Sequence, residues 1–250
     1  MRLREETGAT SIVKIYLGPG RERRERHALE ALAEVVGVPR IINRGLQDGL
    51  AWIQMTDGGV WDLASLPTNL DIVRTAGRVL RGVHESNAQM SNLANMIDDE
   101  QIEAHHRSTL ERLGRFRRRL NLPSELLEAA IAAGPPLASK AKPAHTKPTP
   151  EQFLVAENGQ VTLIDWEWAT IAPPEWDVSL AMWQLANLLG DTAAEAFIEG
   201  YGASVSAGRL RAWIAYHSAM LMLDAAEKRD GRLYDLAPLV RSLADAVGYR

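Results

Sequence analysis

Two stretches hold residue types that could do chemistry. In LIDWEWA, Asp165 ends an apolar run and Glu167 follows two residues later. Carboxylates in such a turn suit a hard divalent cation such as Mg2+, which takes oxygen ligands. In AHTKPTPEQFLV, residues 144–155, a proline-rich loop leads into a second apolar run and reads as the segment facing the acidic turn. Where a carboxylate would draw the proton from a hydroxyl, the loop has Lys147. A protonated ammonium cannot accept a proton. A third candidate, Lys14, lies inside the β-branched and aromatic run TSIVKIYL.

The elements that would carry these residues can be read from periodicity and turn chemistry. Residues 10–17 have strand composition, and GPG at 18–20 reads as a turn. Ala28, Leu29, Leu32, Val35 and Val36 fall at helical spacing, which predicts a helix from Arg21 to Val36 stopped by Gly37 and Pro39. Strands at about 40–44 and 50–55 flank LQDG, a hairpin signal, and TDGG at 56–59 connects onward. Helices are expected over 69–85, 96–120 and 124–133. Segment 134–150 is rich in proline and lysine, so it reads as loop and not as helix or central strand. FLVA and VTLI flank Asn158-Gly159, a two-residue hairpin signal that leads to Asp165. A buried helix follows from Glu175 to Leu189, with Pro174 in its first turn, and then two or three more helices.

Bulk composition narrows the function classes. A net charge of −4 gives no general attraction to nucleic acid or to an anionic membrane. The chain has no cysteine, which excludes disulfides and thiolate metal sites. No apolar run reaches bilayer length, and MRLREETG has no signal-peptide core, so a cytoplasmic protein is expected, without nucleic-acid or membrane partners. Glu103, His105 and His106 read as a solvated helix face, because adjacent histidines point in different directions. RFRRRL at 115–120 reads the same way, His84 as packing, and most of the seven tryptophans as core.

Taken in order, strand lysine, helix, hairpin, connector, helices, loop, hairpin, Asp and buried helix, the chain resembles the aminoglycoside phosphotransferase and choline kinase-like branch of the protein-kinase fold, from Ser11 to about Leu189. The resemblance implies an α+β, two-lobed architecture. A reduced β-rich N-lobe would span 1–60 and a mostly helical C-lobe 61–250. Lys14 would hold nucleotide phosphates, and Glu25, four residues before Leu29, would orient it. Met55, Thr56 and Asp57 would form the hinge at the adenine. Asp165 would ligate Mg2+, with Glu167 assisting or capping the turn. His145 and Asp177, the latter in PPEWDVSL, would support the catalytic loop. ATP and Mg2+ are the implied cofactors of an active member, and an inactive one would need none.

The chain departs from the family pattern at several points. The family loop reads roughly H-G-D, four residues, then N. Here Thr146 replaces the glycine, Lys147 the aspartate and Gln152 the asparagine. The family carboxylate is worth roughly 10²–10⁴-fold in rate. At about 5 Å and an effective dielectric near 20, each unit-charge pair is worth roughly 3 kcal/mol, so a cation in that place should weaken metal binding. Gln152 adds a methylene, which makes it a poorer fit to the strict octahedron of Mg2+. About ten residues precede the lysine strand, where the family has two strands and a Gly-rich loop, and TGAT at 7–10 makes a poor phosphate cover. Polar SKAKPA stands where the family has an apolar strand.

Three positions are open to Lys147: paired with Asp165 in the metal's place, solvated, or recruited to a new task. Three functions are open to the chain. The leading expectation is a degenerate relative that binds Mg-ATP poorly or not at all and acts as a binding or regulatory protein, with a small-molecule or protein partner. The alternatives are an active ATP-dependent kinase for a small-molecule or peptide hydroxyl, and a structural subunit of a complex.

Overall fold

The computed structural model describes residues 1–4, 10–88, 97–202, 205–228 and 236–249. In chain order the elements are β1 (Arg2–Arg4), β2 (Thr10–Tyr16), α1 (Pro19–Ala31), β3 (Ile41–Gln47), β4 (Leu50–Thr56), β5 (Trp61–Asp62), α2 (Leu70–Glu85) and α3 (Asp99–Leu120). They continue with α4 (Ser124–Ala133), β6 (Lys142–Ala144), β7 (Phe153–Val155), β8 (Val161–Leu163), β9 (Thr170–Ala172), α5 (Pro174–Leu189), α6 (Asp191–Tyr201), α7 (Ala207–Glu227) and α8 (Ala237–Val247). By compactness the chain divides into one unit of 1–96 with 140–203 and a second of 97–139 with 204–250. This grouping differs from the lobes at 1–60 and 61–250. Residues 7–9 of TGAT lie outside the described residues.

In the first unit, an antiparallel sheet runs in the order β1-β2-β4-β3. The β3–β4 hairpin turns on Asp48 and Gly49, both at positive φ (53° and 80°). That is the type I′ geometry, which matches strand twist. The hairpin is longer than expected, because β3 runs on to Gln47. Alternation along β2 puts Lys14 and Tyr16 on one face while Ile15 points away and is exposed. Helix α1 packs Ala28 and Leu29 into the core beside Ile53 and Met55.

Helix α1 ends at Ala31 and not at Val36. The chain must leave the helix to place Gly37, at φ 85°, where its carbonyl accepts from Leu163 N–H at 2.8 Å. A Cβ at Gly37 would lie 2.6 Å from a Val79 methyl, so only glycine fits this approach. Helix α2 begins at an Asn69 cap, whose side chain accepts from Asp71 and Ile72 N–H. It crosses α6 closely, since a Cβ at Gly77 would lie 2.2 Å from the Phe197 carbonyl and one at Gly200 would lie 2.0 Å from that of Arg74.

Two short sheets complete the first unit, β5-β7-β8 and β6-β9. The β7–β8 turn is not the two-residue type: Ala156 N–H donates to Gln160 O, and only Gly159 takes positive φ. Strand β6 corrects the loop expected over 134–150. Pro143 and Ala144 are buried and pair with Ile171 and Thr170 of β9. A two-stranded ribbon has edges, and a proline that donates nothing is tolerated there.

The second unit is helical. Its core joins Leu110 and Leu113 of α3, Leu126 of α4, Ala219 and Met222 of α7 and Leu243 of α8. His106 is buried and its ring stacks against Tyr216. Exposed His105 meets the Tyr216 hydroxyl at 2.6 Å, so this pair is not a purely solvated face. Among the described residues no helix is long and apolar enough to cross a membrane.

Candidate functional site

Lys14 gathers three carboxylates. Its Nζ lies 2.7 Å from Glu25 Oε2, 2.5 Å from Asp165 Oδ1 and 3.6 Å from Glu167 Oε2. Glu25 is fully buried and also accepts from Tyr16 O–H at 2.7 Å and Trp166 N–H at 3.3 Å. Burial pushes the Glu25 carboxyl up, and Lys14 pulls it partly back. Burial disfavours charge on Lys14, but Glu25 and Asp165 outweigh it and hold the ammonium above its ordinary value. Burial and Glu25 raise the Tyr16 hydroxyl far above the phenol range, so it stays a donor.

Asp165 is presented by a strained turn. It sits at φ 71°, ψ 55°. That left-handed conformation costs an L-residue about 1–2 kcal/mol. The turn is pinned by fully buried Trp166, whose Nε1–H donates to Leu163 O at 2.8 Å. Glu167 is steadied by Arg21 at 3.2 Å. The Arg21 guanidinium also lies 5.3 Å from the centre of the Trp168 ring, a cation–π contact.

The proline-rich loop does face this turn. Asp177, fully buried on α5, accepts from His145 N–H and Thr146 N–H, both at 2.7 Å, and from His84 Nε2 at 3.2 Å. His84 Nδ1 in turn meets the Tyr201 hydroxyl at 2.8 Å. His145 Nε2 lies 2.8 Å from Ile164 O. A carbonyl only accepts, so Nε2 carries the proton. Nδ1 then accepts from Lys147 N–H at 3.3 Å. Burial holds the His145 ring neutral, consistent with that tautomer. Gln152 O accepts from Ile164 N–H at 2.9 Å. The residue just before Asp165 is thus bonded to both ends of the loop.

Thr146 is the second strained residue, at φ 68°. Left-handed backbone is least tolerated by β-branched side chains. Besides its bond to Asp177, its Oγ1–H donates to Trp168 O at 2.9 Å and its carbonyl accepts from Trp176 Nε1–H at 3.0 Å. Lys147, next in the chain, is exposed and forms no ion pair among the described residues. The Lys147–Asp165 pair considered from the sequence is absent, and Lys14 is the lysine that meets that carboxylate.

The remaining expected residues serve the sheet and its exit. Met55 is buried in the centre of the sheet, opposite Ile12 on one side and Ile41 on the other. The Asp57 carboxylate binds Arg2 at 2.7 Å and caps Gly59 N–H at 3.1 Å. Oxygens of Glu25, Asp165 and Glu167 all lie within 4.8 Å of one another. This all-carboxylate set carries more negative charge than Lys14 and Arg21 balance, and its hard oxygens suit Mg2+. Asp165 and Glu167 are the partly exposed members able to hold the ion.

The profile of the phosphotransferase enzyme family matches residues 2–215. The chain belongs to that family. A search of curated proteins finds no match. Among solved structures, the thermostable mutant of the aminoglycoside phosphotransferase APH(4)-Ia, apo form, is 15% identical with a TM-score of 0.70, covering 99% of this chain and 93% of that one. The AMP-bound spectinomycin phosphotransferase APH(9)-Ia is 14% identical with a TM-score of 0.67, covering 96% and 87%. The choline kinase LicA from Streptococcus pneumoniae is 16% identical with a TM-score of 0.64, covering 98% and 88%. These likenesses establish the α+β kinase-like fold.

Sequence reasoning undervalued several residues. Tyr16 carried a signal, its alternation with Lys14 on one strand face. Glu167 carried another, its place two residues after Asp165. His84 and Tyr201 are 117 residues apart, and no local pattern links them to Asp177.

Proposed function

We propose that this phosphotransferase-family protein holds the phosphates of a nucleotide at Lys14, with Asp165 placed to hold their Mg2+, and acts through that binding, without efficient phosphoryl transfer. The observation that carries this reading is Lys147: exposed and cationic, it stands in a loop otherwise built and anchored as a catalytic loop. Lys14 is preset by Glu25 to meet phosphate oxygens, which a point-charge ammonium does well. Asp165 and Glu167 would hold Mg2+, which neutralises phosphate charge when bound. On the acceptor side, nothing that this loop offers at position 147 can take a hydroxyl proton. The AMP complex of a neighbouring phosphotransferase supports a nucleotide as ligand.

An active kinase is the second reading, favoured by the intact Lys14–Glu25–Asp165 arrangement. Phosphoryl transfer depends mostly on positioning and electrostatics, and some rate survives loss of a base. The deciding experiment pairs thermal shift with ATP turnover. The proposal expects ATP with Mg2+ to raise the midpoint by mass action, Lys14→Met to remove the shift, and no turnover above blank. It also expects Lys147→Asp to leave binding in place. ATP turnover by the wild-type chain that disappears in Asp165→Asn would establish the active reading. No shift with any nucleotide would sink both.

A further inference from the structure

Helix α3 carries surface charge that its own chain leaves unmatched. Glu100, Glu103, Arg107, Glu111, Gly114 and Arg118 are all exposed and follow one another at steps of three and four, so they form one stripe along the helix. Arg115 flanks the stripe and Ala104 lies beside it, both exposed. Arg107 pairs with Glu103 at 2.5 Å, and Arg112, off the stripe, is turned to Glu227. Glu100, Glu111, Arg115 and Arg118 form no ion pair among the described residues. The helix dipole favours the acids of the first turn and the arginines of the last. It gives no reason for Glu111 and Arg115 in the body of the helix, nor for Gly114. A glycine inside a helix costs stability, and a Cβ at Gly114 would meet nothing within 4 Å.

We infer that this face of α3 is the contact between two copies of the chain, packed antiparallel about a two-fold axis at the level of position 109. Counted outward from that position, each acid of the stripe meets an arginine of the second copy. Glu100 meets Arg118, Glu103 meets Arg115 and Glu111 meets Arg107. The match continues beyond the stripe, where Asp99 meets Arg119. A two-fold contact is self-complementary, so every pair is made twice. The same register sets Gly114 against Ala104, which places small residues on either side of the crossing and lets the helices approach. A parallel pair would set like charge against like, so the charge order selects the antiparallel direction. A second copy carries the matching order by construction. No large apolar side chain lies on the stripe, so the contact rests on charge. Exposed ion pairs are individually weak and screened by salt, which puts this dimer at the weak, salt-sensitive end of protein association.

The test is sedimentation velocity on the full chain over a range of concentrations up to about 200 µM. A concentration-dependent dimer is expected at about 50 mM salt, weakened about tenfold or more at about 500 mM. Glu100→Arg and Arg118→Glu, each alone, should weaken the dimer about tenfold or more, because each creates a like-charge contact that occurs twice. Mixed in equal amounts, the two variants should form a heterodimer about as tight as the wild-type dimer, since both contacts are then complementary. Gly114→Gln should raise the thermal midpoint at low concentration and yet weaken the dimer, which separates the contact from folding. A wild-type chain that stays monomeric at about 200 µM in low salt would overturn the proposal. So would a dimer that both single variants leave unchanged, or a mixture of the two that does not associate. A monomeric wild type that binds a polyglutamate peptide through Arg115 and Arg118 would overturn it in favour of an acidic foreign partner.

Discussion

The Lys14 corner and the Lys147 loop hold a lysine each, one near the N-terminus and one deep in the chain, and the two are treated in opposite ways. Lys14 is clasped by Glu25 and Asp165 and held charged by them. Lys147 is flanked by a backbone that Asp177 and Ile164 hold in place, yet its side chain is in solvent. A loop can therefore have a firmly anchored backbone around a side chain that is left in solvent. Part of that anchoring comes from the backbone N–H groups of residues 145–147, which nearly any residue supplies, and part from the side chains of His145, Thr146 and Asp177. The side chain at position 147 takes no part in those bonds and can be exchanged without disturbing them.

Breaking the scaffold should cost most. Asp177→Ala leaves the buried N–H of His145, the half-buried N–H of Thr146 and the buried ring of His84 without their acceptor and is expected to lose about 3–5 kcal/mol in denaturant unfolding. A loss under about 1 kcal/mol would mean that the loop is held by something else. Next comes Lys14→Met, which leaves buried Glu25 facing Asp165 without a cation. A loss of about 2–3 kcal/mol is expected, less than for a fully buried pair. The discount reflects solvent access, since the side chains of Lys14 and Asp165 are 29% and 27% exposed. The same variant should lose the nucleotide shift. If stability falls and the shift survives, Lys14 is structural and the contrast between the corners fails.

Acid should then weaken the chain in a defined window. Burial lowers the pKa of His145, and burial also lowers those of His105 and His106. A group with a depressed folded pKa contributes stability that is present above its unfolded value and lost as pH falls through the folded one. Stability from these histidines should decline below about pH 6.5, by up to about 1.4 kcal/mol per pH unit for a fully buried ring such as His145 and by less for exposed His105. Unfolding curves between about pH 7 and pH 5 in wild type and in His106→Phe, which should show a shallower slope, measure this.

Two smaller effects sharpen the contrast within the loop. Thr146→Gly relieves about 1–2 kcal/mol of left-handed strain but gives up the hydroxyl bond to Trp168 and raises chain entropy, so a net change within about 1 kcal/mol is expected. A larger loss would show that the Oγ1 bond dominates. Lys147→Ala should be nearly silent, under about 0.5 kcal/mol, as for an unpaired surface residue. A measurable cost in chemical denaturation would reveal a contact that its exposure denies.

Much of the fold was legible because its signals are local. The helix expected over 69–85 is α2, and Asp-Gly announced the β3–β4 turn. What misled were segments whose local chemistry is overruled by packing. The helical spacing of Val35 and Val36 is real, yet α1 ends at Ala31 because Gly37 is needed against Val79 and Leu163. SKAKPA reads as loop, yet β9 offers its edge and Pro143 takes a position in the ribbon.

The sequence by itself determined which residues could act and that the proline-rich loop has a lysine, Lys147, after His145 and Thr146. Those are facts of residue type and order. Only the tertiary structure decided which lysine meets Asp165, because that pairing spans 151 positions and depends on a strand, a helix and a strained turn converging on one nitrogen, Lys14 Nζ. The same holds for the buried ring of His106 on α3, which stacks against Tyr216 of α7. Whether a helical histidine stays in solvent or is buried against a ring is set by what other helices bring to its face, and no spacing along one helix records that.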